Sequence, residues 1–490
     1  MRLFHRFLIY TNTWCKNSYN MYMVGRKIYR ALRNNLNIQD QWSVYMILFC
    51  IFVFYICTRM WMWFQYGMAG FGYDTGIYRY IVTGYFLNSG NIPFGFSAYS
   101  NWLMILGTDV DVILLHCYIA IACAIFYAIY RMGHVYFGRI YHGIFIVFLF
   151  AVSITQYEFF WWYYYRQFLS LLFIIIAFLF IHYRSYFLIP VLVAIGIIHP
   201  LSLIPLGLSL IIYMFIATRD MRRYIFISGL ISVIVLCISN WQELMMYAQD
   251  FFHYHGVAKN FVVAGYQEFT GQFIGWKDWL QYSVWYIPFA IMGIWKYFKK
   301  QPLLFIFSCV SIGLIMVQIV FYRRFFVFLD MVVIMYAGAF LADICLTVMY
   351  MKYKYIIYIL IIVYSIIGIG YITYTLANKK PLLSRIEISK IQSVSSLVSD
   401  SDFVLSIDSM YAPWLRGFSD KKIIAPGLFE YNKWNREEWQ IFWFSSDIDM
   451  KIEMLRMYDV SPLYIYTGDS LFNLGPYGNF VRPFLIRVDL

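Results

Sequence analysis

The chain has 490 residues, of which 62% are hydrophobic, 22% aromatic and only 13% charged. A soluble protein of this length needs a far more polar surface, so the composition excludes that class and predicts a polytopic membrane protein. The net charge of +12 comes largely from basic residues in short segments between apolar stretches, which is typical of topology control and excludes a nucleic-acid-binding role.

The chain begins with a basic, partly amphipathic arm over residues 1–40. We expect it on the cytoplasmic membrane surface, attracted to anionic lipid, and the alternative is a disordered start. Its charges run on too long for a cleavable signal peptide, and no small-residue cleavage site follows. The eight cysteines include no Cys-x-x-Cys pair, so neither a disulfide framework nor a zinc site is indicated.

Residues 41–376 contain about eleven apolar stretches that we interpret as spanning helices. Their approximate limits are 43–63, 110–130, 140–155, 164–182, 185–199, 201–217, 225–240, 281–297, 303–321, 325–348 and 354–375. With the N-terminus inside, nearly every basic cluster falls on the cytoplasmic side, as the positive-inside rule requires. The expected location is the cell inner or plasma membrane, with outer loops over 64–109 and 240–280 and an extracytoplasmic C-terminal region.

Residues 377–490 differ in composition, because they hold over half of the acids of the chain. Short apolar runs predict strands at 402–407, 422–425, 462–466 and 484–488, and helical periodicity predicts helices at 437–444 and 448–457. The predicted fold class is therefore a polytopic α-helical membrane protein of about eleven transmembrane helices with a small C-terminal extracytoplasmic α/β domain.

One acid follows the first apolar stretch at once, in the glycine-rich segment 70–80. This is Asp74, and the glycines around it allow the backbone to bend closely. At the outer membrane surface partial desolvation would raise its basicity, so Asp74 is the best candidate for a general base or a metal ligand. The alternative is a helix N-cap, and the two roles can coexist.

A pair of basic residues, Arg323 and Arg324, stands between two apolar helices on the predicted outer side. Arginine holds phosphate with paired donors and stays charged, so this pair predicts a binding site for a lipid phosphate, with Arg166 and Arg79 as secondary candidates. A snorkelling pair at the interface is the alternative. His199 precedes Pro200, which is expected to break a helix, and could bind phosphate or be a satisfied structural histidine.

Three further groups are weaker candidates. His253 and His255, with Glu268 or Asp250, could hold a metal, and their spacing suits a strand or an irregular loop. Glu158 opens an aromatic run over 159–165 that could stack on a sugar but is more typical of an interfacial belt. In the C-terminal domain, Trp414 beside Arg416 could stack on and hydrogen-bond a glycan, or belong to a folded turn.

These features resemble the GT-C superfamily of integral-membrane glycosyltransferases. The residues that carry the resemblance are few: the motif Gly72-Tyr73-Asp74 with Tyr78, Arg79 and Tyr80, the His199-Pro200 pair, and Arg323-Arg324-Phe325. The resemblance implies transfer of a sugar from a polyprenyl-phosphate donor to an extracytoplasmic glycan, lipid or protein acceptor. It implies Asp74 as the base and Arg323 or Arg324 as the phosphate clamp, with His199 assisting. Besides these residues, Arg166 is a candidate for binding the donor phosphate, and Tyr78, Arg79 and Glu158 are candidates for binding the substrate.

The sequence departs from some members of that superfamily in two ways. The first outer loop lacks paired acids, which leaves two-acid chemistry in doubt and a divalent metal possible but not indicated. The C-terminal region has no WWDYG-type motif, which disfavours an Asn-directed oligosaccharyltransferase. Two alternatives stay open: an O-antigen polymerase or ligase, which usually lacks a C-terminal α/β domain, and a transporter, for which the only acids within spans are Asp330 and Asp343.

Overall fold

A computed structural model describes residues 38–87, 109–258, 273–318, 322–348, 354–408, 410–426, 431–468, 472 and 474–490. The chain forms two compact units, Met1–Phe54 and Tyr55–Leu490, and every residue of the candidate site lies in the second. The predicted N-terminal arm lies outside the described residues, apart from the first turn of a helix that begins at Ile38.

The described part of residues 38–378 is helical. Its helices are α1 (Ile38–Tyr66), α2 (Asp74–Leu87), α3 (Val110–Phe137), α4 (Ile140–Val152), α5 (Ile154–Trp161), α6 (Tyr165–Tyr183), α7 (Leu188–Ile198), α8 (Pro200–Ile216), α9 (Arg219–Ala258), α10 (Trp276–Ser283), α11 (Ile287–Tyr297), α12 (Pro302–Met316), α13 (Phe326–Val348) and α14 (Lys354–Asn378). Short 3-10 turns, Gly67–Gly70 and Tyr322–Phe325, follow α1 and precede α13.

Six helical segments are long and apolar enough to cross a membrane, and a seventh span is obtained if α4 and α5 count as one bent span. The six are Trp42–Gly70, Val110–Phe137, Tyr165–Tyr183, Arg219–Ser239, Tyr322–Thr347 and Tyr355–Asn378. The membrane character of the chain is confirmed, but the predicted count of about eleven is not. The apolar helices α7, α8 and α12 have only 11, 17 and 15 residues, whereas about 20 are needed to cross a bilayer.

The bend between α4 and α5 measures 56° and falls at Ser153. The Ser153 hydroxyl caps α5 by accepting from the Gln156 amide at 3.2 Å, and it donates to the Asp330 carboxylate of α13 at 2.9 Å. Asp330 is fully buried and also accepts from the side chains of Gln156, Trp279, Ser283 and Tyr286. A carboxylate therefore faces the positive end of the α5 dipole.

The other side of the break receives a cation. Arg59 of α1, only 1% exposed, donates to the carbonyl of Ala151 at 2.7 Å and approaches that of Phe150 at 3.5 Å. These carbonyls end α4 and have no partner within the helix, since the last four carbonyls of any helix lack one. The guanidinium also lies 4.2 Å from the centre of the Tyr55 ring. Arg59 thus satisfies the negative end of the α4 dipole.

The described part of residues 379–490 forms a three-layer α/β domain. Its elements are α15 (Arg385–Leu397), β1 (Phe403–Ser406), α16 (Ala412–Ser419), β2 (Lys422–Ile424), α17 (Arg436–Phe444), α18 (Ile448–Arg456), β3 (Leu463–Tyr466), β4 (Gly478–Arg482) and β5 (Leu485–Val488). The sheet order is β2-β1-β3-β5-β4, with β2, β1 and β3 parallel and β5 antiparallel to both of its neighbours.

Strand alternation explains the two cores of this domain. Val404 and Tyr464 pack with α15 and α16 on one face of the sheet, whereas Leu405 and Ile465 pack with α17 and α18 on the other. The four strands and two helices predicted from the sequence are present, within a residue or two of the predicted limits. Three further elements are not predicted by the sequence patterns: β4, α15 and α16, and α16 replaces the folded turn expected around Trp414.

The domain contacts the membrane region through two glycines. A Cβ added to Gly76 of α2 would lie 2.2 Å from the Pro413 carbonyl oxygen, and one added to Gly417 of α16 would lie 2.2 Å from the Gly76 carbonyl oxygen. The backbones of α2 and α16 therefore touch directly, at a separation that no side chain permits. Arg79 fastens the same contact, with its Nε 2.8 Å from Asp111 and its Nη1 donating to the Gly417 carbonyl.

This contact predicts that Gly76→Ala forces α2 and α16 apart and lowers the stability of the folded protein by about 1–3 kcal/mol. The measurement is the thermal unfolding midpoint of the purified protein in detergent. The matched control is Gly370→Ala in α14, where an added Cβ meets no atom within 4 Å. Equal midpoints for the two variants would contradict the direct backbone contact.

Candidate functional site

Asp74 is held in place by the aromatic helix α5. The Gly72 amide donates to the Trp161 carbonyl at 2.7 Å, and the Trp161 indole donates to the Gly70 carbonyl at 2.8 Å. A Cβ at Gly72 would lie 2.5 Å from the Cα of Trp162, so glycine is required for this approach. The chain then enters α2 with Asp74 as its first residue, as the N-cap alternative had anticipated for the helix start.

The Asp74 carboxylate faces Arg324. The Arg324 Nη2 lies 3.8 Å from the Asp74 Oδ2, and the two side chains are only 18% and 13% exposed. Burial raises the pKa of Asp74 from 3.8 to about 6, although the positive charge of Arg324 opposes that shift. Asp74 is thus ionised at neutral pH, and it is more basic than an exposed aspartate.

The guanidinium of Arg324 also lies 4.0 Å from the centre of the Tyr164 ring, in a cation–π contact. Its neighbour Arg323 extends along the Tyr322 side chain, with its Nε 3.4 Å from the Tyr322 hydroxyl. The two arginines of the predicted clamp therefore differ in place, and it is Arg324 that the structure brings to Asp74. The amide of Gln167 donates to the Arg324 carbonyl at 3.2 Å and ties the turn to α6.

His199 and Arg166 lie near the same arginine. Arg166 donates from Nε to the carbonyl of Ile198 at 2.6 Å, and its backbone amide donates to the Tyr78 hydroxyl at 3.2 Å. The Nδ1 of His199 lies 2.7 Å from the Ser202 hydroxyl, and its imidazole is within electrostatic reach of both Arg166 and Arg324. Burial, together with the negative charge of Asp74, raises the pKa of Tyr78 to about 12, so it is a neutral phenol.

Glu158 is buried and paired. Both of its carboxylate oxygens accept from the Lys379 ammonium, at 2.8 and 2.7 Å, and the Glu158 side chain is only 7% exposed. The ammonium lies 3.5 Å from the centre of the Trp161 ring. Lys379 follows directly after α14, so the pair ties the end of the last described span to α5.

Three of the predicted substrate contacts have structural partners instead. Trp414 is fully buried in the C-terminal domain and stacks on Phe418, so as it stands it offers no face to a glycan. Arg416 lies over the Tyr80 ring at 4.1 Å. Arg79 contacts Asp111, Gly417 and, at 4.5 Å from its centre, the Phe418 ring. All three belong to the contact between α2 and α16.

The predicted loop 240–280 is partly helical. His253 and His255 lie in α9, which continues to Ala258, so the expectation of a strand or irregular loop at their position is wrong. Their side chains, and the whole of Glu268, lie outside the described residues. Among those that are described, no group of three or more His, Cys, Asp and Glu side chains is placed to hold a metal ion.

The sequence alone does not single out Lys379 or Tyr164 as site residues. The one signal for Lys379 is its place directly after an apolar helix. Tyr164 was hidden in the aromatic run. The positive φ of 63° at Tyr163 turns the chain between α5 and α6 and places Tyr164 under Arg324.

Chemically, the site combines a carboxylate of raised basicity with a guanidinium. The carboxylate can accept a proton from a hydroxyl or amide at neutral pH, and the guanidinium can bind an oxyanion through paired donors. Arg166 and His199 add to the positive side of the site, because Arg166 acts on Tyr78 together with Arg324 and the imidazole of His199 is within electrostatic reach of both arginines. The arrangement therefore suits transfer between an anionic leaving group and a protic acceptor.

Solved structures provide a comparison. The chain is similar to the archaeal oligosaccharyltransferase AglB from Archaeoglobus fulgidus, solved with an inhibitory peptide and a dolichol-phosphate, with a TM-score of 0.62 at 9% identity over 88% of this chain and 70% of that one. It is also similar to the apo form of the Archaeoglobus fulgidus oligosaccharyltransferase, with a TM-score of 0.64 at 10% identity over 86% and 69%. At this identity the likeness shows the fold alone. No protein-family model and no curated protein sequence matches the chain.

The raised pKa of Asp74 predicts a cost to stability. The folded protein binds the Asp74 proton more tightly than the unfolded chain, so stability falls as the pH rises from about 4 to about 6 and the loss persists above that range. We expect Asp74→Asn to raise the thermal unfolding midpoint at about pH 7.5, by a free energy on the order of 3 kcal/mol, and to have a much smaller effect at about pH 4.5. An unchanged or lower midpoint at neutral pH would contradict the burial cost.

Proposed function

We propose that this protein is a membrane glycosyltransferase that moves a sugar or short glycan from a polyprenyl-phosphate donor to an extracytoplasmic acceptor. The observation that carries the proposal is the buried Asp74–Arg324 pair, 3.8 Å apart, in a chain whose fold is similar to that of an archaeal oligosaccharyltransferase. A base and an anion-binding group within one ion-pair distance are what a transfer from a phosphate-linked donor needs.

In this proposal Asp74 deprotonates the acceptor. Its pKa of about 6 leaves it ionised at neutral pH and still basic enough to take up a proton in the transition state. The acceptor hydroxyl or amide then attacks the anomeric carbon of the sugar, and the polyprenyl phosphate leaves with both electrons of the broken C–O bond. Attack from the side opposite the phosphate inverts the anomeric centre.

Arg324 binds the phosphate that leaves. Its planar guanidinium is held over Tyr164, so its orientation is fixed before the donor arrives. Arg166 and His199 add donors near Arg324, and Arg323 lies on the same turn. The solved AglB complex contains a dolichol-phosphate, which is a donor-type lipid of the class proposed here.

The cytoplasmic N-terminus and the extracytoplasmic C-terminal domain, over 377–490, are part of the proposal. They rest on the distribution of basic residues between the apolar stretches. The contact between α2 and α16 supports a shared role, because it brings the C-terminal domain to the helix that begins at Asp74.

The two alternatives predict different structures. A polymerase or ligase of lipid-linked glycans shares the donor but usually has no C-terminal α/β domain, which is present here. A transporter needs intramembrane charges that line a path. The two acids that the sequence placed in spans are both engaged by protein groups: Asp330 by five side chains, and Asp343 by Lys296 at 2.8 Å and His142 at 3.2 Å.

The direct test is transfer from a labelled polyprenyl-phosphate sugar by the protein in nanodiscs, with membranes of the source cells as acceptor. We expect Asp74→Asn and Asp74→Ala each to lower the rate by at least about 100-fold, because each removes the base. Arg324→Gln should raise KM for the donor. Arg324→Lys should raise it less, because the positive charge is kept.

The control for this test is Asp459→Asn, an exposed acid in the C-terminal domain whose backbone φ of 53° asparagine also tolerates. It should leave the rate unchanged. Full activity of both Asp74 variants would show that Asp74 is not the base. A wild-type protein that is inactive towards every polyprenyl-phosphate sugar would contradict the proposed function.

The pH dependence gives a separate prediction. The rate should fall as the pH drops through about 6, because protonated Asp74 cannot act as a base. Arg324 lowers the pKa of Asp74, so Arg324→Gln should move this acidic limb to higher pH. The measurement is the pH profile of kcat/KM for both proteins. A limb that stays in place in the variant would show that another group sets it.

A further inference from the structure

A second charge pair lies on the same aromatic segment as the proposed catalytic pair. The Trp161 carbonyl accepts from the Gly72 amide, two residues before Asp74. The Lys379 ammonium lies 3.5 Å from the centre of the Trp161 ring. Three residues later, the Tyr164 ring carries Arg324 at 4.0 Å. The Tyr164 side chain is within electrostatic reach of Arg324, Asp74 and Glu158 together, so both pairs act on the same ring.

Both carboxylates of this site are already matched by a cation of the chain. Glu158 is held by Lys379 with both oxygens at 2.8 and 2.7 Å, and Asp74 faces Arg324 at 3.8 Å. A divalent ion, which the GT-C resemblance left possible, needs several oxygen ligands at once. To bind at Glu158, such an ion would have to displace the Lys379 ammonium, which is only 18% exposed and would repel the ion from nearby, so the described residues do not fit a divalent ion.

We propose that the Lys379 ammonium is the resident cation of this site and that sugar transfer proceeds without a divalent metal. The inference rests on the proposed function, which it deepens. Lys379 has three N–H donors, of which Glu158 takes two. Its charge, held at the edge of a poorly hydrated site, adds to that of Arg324 in stabilising the negative charge of the leaving phosphate. Lys379 is a positioning residue, because it acts on the leaving phosphate through its electrostatic field and holds the Glu158 carboxylate in place.

Its place in the chain gives the pair a second consequence. Lys379 is the first residue after α14, at the start of the segment that leads to the C-terminal domain. The Lys379 ammonium therefore reaches Glu158 only when the end of α14 packs against α5. A metal ion would be supplied from solution, whereas this cation is supplied by the fold.

The first arm of the test measures metal binding directly, by Mn²⁺ paramagnetic resonance on the protein in nanodiscs. We expect no stoichiometric Mn²⁺ binding to the wild type, and Lys379→Met to gain Mn²⁺ binding because Glu158 is then an uncompensated buried carboxylate. Lys380→Met, which removes the exposed neighbouring lysine, is the matched control and should behave as the wild type. Stoichiometric Mn²⁺ binding to the wild type would overturn the proposal.

The second arm measures transfer with and without a chelator. Wild-type transfer should be unchanged by the chelator, Lys379→Met should lose at least about tenfold, Lys379→Arg should regain most of that loss, and Lys380→Met should lose none. Chelator-sensitive wild-type transfer, or full activity of Lys379→Met, would overturn the proposal. If the wild type transfers no sugar at all, the proposed function fails, while the Mn²⁺ arm still decides whether Lys379 is the resident cation.

Discussion

Two buried charges, Arg59 and Asp330, lie at the break between α4 and α5 in an apolar part of the protein. Each charge stabilises one of the two helix ends at the break. Arg59 donates to the last carbonyls of α4, and Asp330 accepts from the capping Ser153 of α5. An unsatisfied backbone group in such surroundings costs several kcal/mol, so neither end could be left bare. The two charges are thus the condition on which a bent span, rather than a straight one, is stable.

The position of the candidate site depends on that bend. Helix α5 presents Trp161 to the backbone of Gly70 and Gly72, which fixes the start of α2 and hence Asp74. Helix α13 begins directly after the turn that carries Arg324, and it also holds Asp330 against the break. The same helix therefore locks the bend and delivers the cation to Asp74. Its span is 94% buried, whereas that of α14 is 11% buried, which makes α13 the central element.

Much of this organisation could be predicted from the sequence, because composition and local patterns carry it. The membrane class and most strands of the C-terminal sheet follow from apolar runs and from the alternation of apolar and polar residues. The number of spans could not be predicted, since counting apolar residues does not reveal that the helices at 188–198 and 302–316 are too short. Helix α16 was missed because its Pro413 and Gly417 are typical of a turn.

Contacts between distant parts of the chain were beyond the sequence altogether. Glu158 and Lys379 are 221 residues apart, and no local pattern links them. Nor did anything mark Trp414 as buried: the property that suggested stacking on a sugar, a large ring beside an arginine, serves equally well to fill a domain core. The choice between Arg323 and Arg324 likewise depended on the 3-10 turn, which orients successive side chains differently.

The two ion pairs of the site differ in a way that fits different tasks. Glu158 and Lys379 make two short charge-assisted hydrogen bonds, which hold both groups in one arrangement. Asp74 and Arg324, at 3.8 Å, are beyond the distance of such a bond. Arg324 lowers the pKa of Asp74, so a donor phosphate that neutralises the guanidinium makes the carboxylate more basic. Binding of the donor would in this way prepare the base, while the tighter pair keeps the surrounding charge constant.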